Sequence, residues 1–372
     1  MDFFTNARLV LADSVLHGSV AIKDGVIAAI GEAASGLDLE GDFLLPGAID
    51  LHTDNLERQV LPRSNARWPS RSAFMAHDAQ CAGAGITTVF DALCLGDLGF
   101  DQGRAKTFEE GVKDLRALAG SGVLKAEHFL HLRCELPAPE MPELLLRAID
   151  ESRVRLVSIM DHSPGVGQYA DLDRYRAMKA AEGFAADEIL EAVEILQGKR
   201  AANHDSNRKF VLELARRRKI PVASHDDRTV EEVERNHAEG IAIAEFPVSF
   251  AAARAARARG IMAIAGAPNI VRGGSHSGNV SALDLIREGL VDALASDYVP
   301  AAMLEAAFCV VREGVLDLPA AIALITSGPA TLAGLQDRGR IAAGLRADLV
   351  QVRLHEGIPV IRAVWREGVR VA

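Results

Sequence analysis

The chain is poor in aromatic residues, in cysteine and in excess basic charge. Two Trp, three Tyr and 13 Phe make up only 5% of it, so Ala, Val, Ile and Leu must build its core. The four cysteines (Cys81, Cys94, Cys134 and Cys309) show no CxxC or related spacing. That excludes a thiolate metal site and a disulfide scaffold, and reads as reduced thiols of a cytoplasmic protein. Lys and Arg number 41 against 51 Asp and Glu, a formal charge of −10. Broad nucleic-acid binding needs a basic surface and is excluded, whereas a local pocket for an anionic ligand is not. No basic segment followed by an apolar one opens the chain, so no signal peptide is expected. The one long uncharged stretch, 318–336, contains Ser327, Gly328, Pro329, two Thr and Gln336 and makes a poor membrane span. With 372 residues, 49% of them hydrophobic, the chain suits one barrel of about 250 residues and a small companion.

Both ends look like β-structure. Val20 and Ile22 precede Lys23-Asp24-Gly25, and Val26 and Ile27 follow, a hairpin pattern around an Asp-Gly turn. Residues 348–352 and 360–365 are short strand-like runs. Between the ends, apolar runs of strand length (44–52, 86–91, 125–132, 154–160, 220–225, 241–245, 261–265, 291–296) alternate with helical patterns at 104–119, 174–197, 204–218, 228–238 and 300–312. Apolar strands alternating with helices imply a parallel sheet covered on both faces. Eight such units predict an α/β fold: a (β/α)8 TIM-like barrel over 46–341, with 1–45 plus 342–372 forming a small β-sandwich-type domain. A doubly wound sheet is the alternative. The polar stretch 57–72 reads as a long loop after strand one, at the end of a barrel where function collects.

The polar residues fall at the C-terminal ends of these strands. Strand one ends in His52-Thr53-Asp54; residues two apart on an extended strand share a face, and an imidazole beside a carboxylate suits a divalent cation. A histidine satisfied in a capped turn, with Asp54 as helix N-cap, is the plainer alternative. Asp91 ends strand two, His131 and Glu135 lie on strand three, and Asp161 and His162 follow strand four. His225, Asp226 and Asp227 end strand five, Glu245 ends strand six and Asp297 ends strand eight. For Asp91 or Asp226 the alternative is a helix cap. Taken together, buried acids and histidines at so many strand ends are costly unless paired or bound to metal. After strand seven, Arg272-Gly273-Gly274-Ser275-His276 and Asn279 lie in a loop suited to phosphate, through backbone N–H groups and basic side chains; a glycine loop without ligand is the alternative. Arg58, Arg63, Arg67 and Arg71, in the loop after strand one, are either a solvated surface or further phosphate contacts.

These runs resemble a known family. Leu45-Pro46-Gly47-Ala48-Ile49-Asp50-Leu51-His52 is similar to the strand-one signature of the amidohydrolase superfamily, and Gly344-Leu345-Arg346-Ala347-Asp348-Leu349-Val350 to that superfamily's return into its small β domain. More narrowly, residues 52–57, 131–135, 224–227, 272–279 and 296–300 resemble the diphosphatases of the carbon–phosphorus lyase pathway. The resemblance implies hydrolysis of α-D-ribose 1-methylphosphonate 5-triphosphate to the 5-phosphate and diphosphate, with a small phosphorylated molecule as ligand. The chain departs from the wider superfamily in having His-x-Asp on strand one, no Lys at the C-terminal end of strand three or four, and no strand-six His. Glu135 or Asp161 is then the natural substitute for a carboxylated lysine.

The implied centre draws on His52, Asp54, Glu135, Asp161, His162, His225 and Asp297 for one or two divalent ions. Zinc is the first choice, with manganese or iron as alternatives. Asp297 is the candidate base or proton shuttle, His225 a second catalytic candidate, and Arg272, Gly273, Gly274, Ser275, His276, Asn279, Arg58 and Arg63 the candidate phosphate contacts. A homodimer is the default assembly. The rival readings are a cyclic amide hydrolase of the dihydroorotase or hydantoinase kind, and a non-catalytic metal-bearing subunit.

Overall fold

A computed structural model of the chain describes residues 2–33, 35–63, 66–97, 103–275 and 278–372. All eight candidate strands of the middle segment are present: Ala48–Thr53, Ile86–Leu95, Glu127–Glu135, Val154–Met160, Val222–His225, Ile243–Glu245, Met262–Gly266 and Ala293–Ala295. They pair in parallel and in sequence order. A parallel bridge between Thr53 and Asp297 returns the eighth strand to the first. The sheet is therefore a nearly closed barrel and not an open doubly wound one. Ile49, Leu51, Phe90, Phe129, Leu156, Ile243 and Ile264 fill its interior, each worth roughly 1.5–3 kcal/mol of burial. With so few aromatics, the contact between Phe90 and Phe129, ring centres 5.3 Å apart, carries much of the bulk.

The chain ends join in one mixed sheet in place of two facing ones. Asp2–Val10, Val15–Lys23, Val26–Gly31 and Phe43–Pro46 from the N-terminal side pair with Leu349–His355, Ile358–Arg366 and Val369–Arg370. The sheet curls over its own core: two strands separate Asp2–Val10 from Ile358–Arg366, yet the rings of Phe4 and Trp365 lie 4.6 Å apart. The expected Asp-Gly turn is there, with Asp24 at φ 52° and Gly25 at φ 80°, the left-handed pair that a tight hairpin requires.

The helices differ from expectation in two places. The stretch 57–72, expected as a loop, begins inside the helix Asn55–Val60 and ends in the first turn of the helix Ser70–Gly83. The 174–197 and 204–218 patterns are replaced by Leu172–Ala181 and one 33-residue helix, Ala186–Arg218. The break falls at Gly183, φ 100°, a left-handed position that ends a helix. Gly198 sits inside the long helix with open space around it, where glycine costs only about 1 kcal/mol. Among the described residues no helix is long and apolar enough to cross a membrane.

Asp91 caps no helix; the next one, Arg104–Leu118, has Gly103 at its N-cap position. Its carboxylate lies buried between the barrel and the helix Ser70–Gly83. There it accepts from His77 Nε2 (2.7 Å) and His128 Nδ1 (3.0 Å), while His128 Nε2 donates to Asp78 (3.1 Å). Burial alone would lower the His128 pKa, but Asp91 and Asp78 hold it up at about 9. Because that lies above the unfolded value of about 6.5, the stabilisation is complete below about pH 6.5 and is lost as pH rises through 9. Asp78 and Asp91 are held below the usual carboxylate range, so their contribution is lost only in acid. His128→Gln is expected to cost on the order of 3 kcal/mol more near pH 6 than above about pH 9.5. Melting both proteins across that range checks this, and a difference that stays constant with pH would refute it.

Candidate active site

The barrel mouth is built by strand ends that leave regular geometry. Asp226, Phe246 and Asp297 follow or end strands five, six and eight with φ of 56°, 53° and 56°, a left-handed conformation that non-glycine residues seldom adopt outside functional sites. Closure occurs at the same place: Asp54 N–H donates to the Asp297 carbonyl (2.9 Å) and Asp297 N–H to the His52 carbonyl (3.0 Å). Strand one ends at Thr53, so Asp54 is not on an extended strand with His52. It holds the N-cap position of the helix Asn55–Val60 but its side chain makes no capping bond. Its Oδ1 is buried without a partner, and its Oδ2 lies 3.4 Å from Arg133 Nη1. The carboxylate faces the mouth, not the helix.

Three histidines meet there, each with Nδ1 turned to a buried carboxylate. His52 and His225 face the two oxygens of Glu245 (3.2 and 3.3 Å), and His162 faces Glu135 (2.5 Å). Their rings lie 5.4–5.7 Å apart in the order His52, His225, His162. The Nε2 of His52 is buried and has no partner. Burial, then the positive Arg133 and His162, push the His52 pKa well down; burial pushes His225 down to about 3 against the pull of Glu245. Both are neutral imidazoles with a lone pair to offer. Burial would lower His162 as well, but Glu135 holds it up. Asp226 is pushed up to about 7 by burial, and Asp297 to about 8 by burial and then by Asp54: carboxylates crowded without enough positive charge.

The donor set fits a divalent cation. His52, His225 and Glu245 can converge on one ion, as can His162, His225 and Asp226, with His225 in both groups. Glu135 behind His162 orients a donor imidazole in the way proteins hold such ions, Glu245 offers its own oxygens beside the two imidazoles it faces, and a cation also relieves the crowded Asp226 and Asp297.

The structure gathers His52, Asp54, His162, His225 and Asp297 around one cavity of about 500 Å³. Glu135 stands behind His162 instead of lining the cavity. Asp161 turns away, accepting from Arg200 Nε (2.6 Å) and the Ser163 N–H (3.1 Å). Arg272, Ser275 and Asn279 line the cavity, whereas Gly273 and Gly274 do not; His276 lies outside the described residues. Arg58 donates to the Tyr298 carbonyl (2.8 Å), and Arg63 is exposed; neither lines the cavity. Arg67 and Arg71 pair with Glu110 and Asp114 on the helix Arg104–Leu118. Lys125 lies before strand three at the opposite end, donating to the Val371 carbonyl.

Sequence reasoning passed over Arg104, Arg133, Tyr169, Tyr175 and Lys179, which line the cavity. All three tyrosines of the chain, with Tyr298, are there; their rarity was the available signal.

A parallel barrel with an acid- and histidine-rich mouth and a sheet made from the chain ends defines a class, and the comparisons agree with it. The Amidohydrolase family model matches residues 43–371, and the chain belongs to the amidohydrolase family, whose members are metal-dependent. Alpha-D-ribose 1-methylphosphonate 5-triphosphate diphosphatase of Escherichia coli (strain K12) is 44% identical over 98% of this chain and 99% of its own. Among solved structures, 5-methylcytosine deaminase from Klebsiella pneumoniae, liganded with phosphonocytosine, matches with a TM-score of 0.65 at 16% identity, covering 100% of this chain and 98% of that one. L-hydantoinase from Arthrobacter aurescens matches with 0.57 at 17% identity, covering 100% and 95%. At such identities the likeness is one of fold.

Proposed function

We propose that the protein hydrolyses α-D-ribose 1-methylphosphonate 5-triphosphate to the 5-phosphate and diphosphate. The observation that carries this reading is the 44% identity to the Escherichia coli diphosphatase across nearly the whole of both chains. The mouth has the chemistry for it, with Arg104, Arg133, Lys179 and Arg272 lining a cavity in an acidic protein. The reaction belongs to the barrel segment 46–341, with 1–45 plus 342–372 as a supporting domain. Four buried, unpaired cysteines suit a cytoplasmic setting, and a homodimer is the default assembly.

His52, His162 and His225, with Asp226 and the Asp54 or Glu245 carboxylates, would hold one or two divalent ions; N and O donors without thiolate suit zinc, manganese or iron, with zinc the first to test. Such an ion supplies Lewis acidity, lowering the pKa of a bound water and drawing charge from phosphoryl oxygens. Asp297 takes the proton as water adds to phosphorus and the anhydride oxygen leaves with diphosphate. Arg133, fixed between Asp54 and Met160 Sδ (3.4 and 3.3 Å), neutralises oxygens at the breaking bond, and Arg272 holds the phosphate chain away from it. Arg272→Ala is expected to raise KM about tenfold with kcat little changed; an unchanged KM would remove the loop after strand seven from phosphate binding.

The test of the reaction itself is diphosphate release from the ribosyl triphosphate by purified, zinc-loaded protein, beside ring opening of dihydroorotate and of a hydantoin. Amide hydrolysis without diphosphate release would favour the rival reading. Against that rival stands Lys125, which lies at the far end of its strand where no metal-bridging lysine can serve.

A further inference from the structure

The buried network behind strands two and three reaches the active site. It begins at Asp78, which accepts the backbone N–H groups of Lys125 and Ala126 (3.0 and 2.9 Å). It continues through His128, Asp91 and His77, and ends where Asn55 Nδ2 meets His77 Nδ1 (3.0 Å) and Gln80 Oε1 (3.0 Å). Its proton arrangement follows from its partners. Both nitrogens of His128 face carboxylates, so both carry hydrogen. His77 Nδ1 receives the Asn55 amide, so it is bare, and its Nε2–H points to Asp91. Each bond has one donor and one acceptor, and among the described residues the network has no unsatisfied buried side-chain polar atom. Phe74 packs on both imidazoles (ring centres 6.0 and 5.1 Å).

Apolar residues of similar volume would hold a helix to a barrel equally well, so this polar chain calls for another reason. Its end point provides one. Asn55 directly follows Asp54, whose carboxylate is not fixed by a capping bond. The Asp54 backbone is held on one side by the Asp297 carbonyl and on the other by Asn55, whose amide the network grips.

We infer that Asn55, His77, Asp91 and His128 are positioning residues that hold the Asp54 carboxylate at the mouth by fixing the first turn of the helix Asn55–Val60. The inference rests on Asp54 being a functional residue of the site. His77→Leu removes the link between Asn55 and Asp91. His77→Gln keeps it, since a glutamine can accept from Asn55 and donate to Asp91. Val112→Ala removes apolar bulk from the same layer without touching the network.

The experiment measures kcat and KM for diphosphate release, zinc affinity by chelator competition, and melting temperature. His77→Leu and Asn55→Ala are each expected to lose at least about tenfold in kcat or zinc affinity, more than Val112→Ala at equal loss of stability, and His77→Gln to recover most of it. If His77→Leu does not fold, Asn55→Ala carries the test. Activity that merely tracks melting temperature, a wild-type Asn55→Ala, or a His77→Gln no better than Leu would overturn the inference. Wild-type behaviour of Asp54→Asn would instead overturn the reading of Asp54 on which it rests.

Discussion

Asp297→Asn is expected to fold normally and to release diphosphate at least about 100-fold more slowly than the wild type. The fold should survive because the features that hold Asp297 belong to its backbone: the bonds to His52 and Asp54 that close the barrel, and a φ of 56° that asparagine tolerates as readily as aspartate. No hydrogen bond of its carboxylate is found among the described residues, so the amide breaks none. What the amide removes is the capacity to take a proton. Desolvation and the Asp54, Asp226 and Asp50 carboxylates push Asp297 up, Arg133 pulls it down, and the balance stands at about 8. That balance holds with no cation in the mouth; a bound cation would lower it and leave a carboxylate able to take a proton at working pH. Initial rates on zinc-loaded protein, with a melting curve as control, decide it: turnover within a few-fold of wild type would free Asp297 of the role.

The barrel was legible because its strands are buried on both faces and so read as apolar runs, and because each run ends in a residue that is expensive to bury. The metal cluster was legible only in part. His52, His162 and His225 could be picked from their strand ends, but the division between residues that face the cavity and residues that orient them could not. Glu135 ends its strand and Asp161 directly follows the next, yet one backs His162 and the other is drawn outward by Arg200. Such partners come from 27 and 39 residues away in the chain, and no local spacing encodes them. Asp226 was visible at its strand end but not separable from a helix cap, because only the left-handed turn after the strand decides where its side chain points. The arginines after strand one misled because a basic loop near the mouth is not in the mouth; Arg67 and Arg71 pair with carboxylates on the helix Arg104–Leu118.

The largest effect is expected at His225. It belongs to both groups of cation donors, whereas His52 and His162 belong to one each. His225→Ala should therefore empty the centre and lower turnover on the order of a thousandfold or more, while His52→Ala or His162→Ala leaves one group whole. Prolonged dialysis against a chelator should abolish wild-type activity to the same extent, and zinc should restore it there but not in His225→Ala. The fold gives little ground for a collapse: removing His225 frees one oxygen of Glu245, whose other oxygen stays with His52, and the strand pairing of 222–225 is a backbone matter. Elemental analysis of the four proteins beside their rates separates the outcomes. A His225→Ala protein that retains its cation and a tenth or more of its turnover would show that the three imidazoles meet for another purpose, and the hydrolytic reading of the mouth would lose its centre.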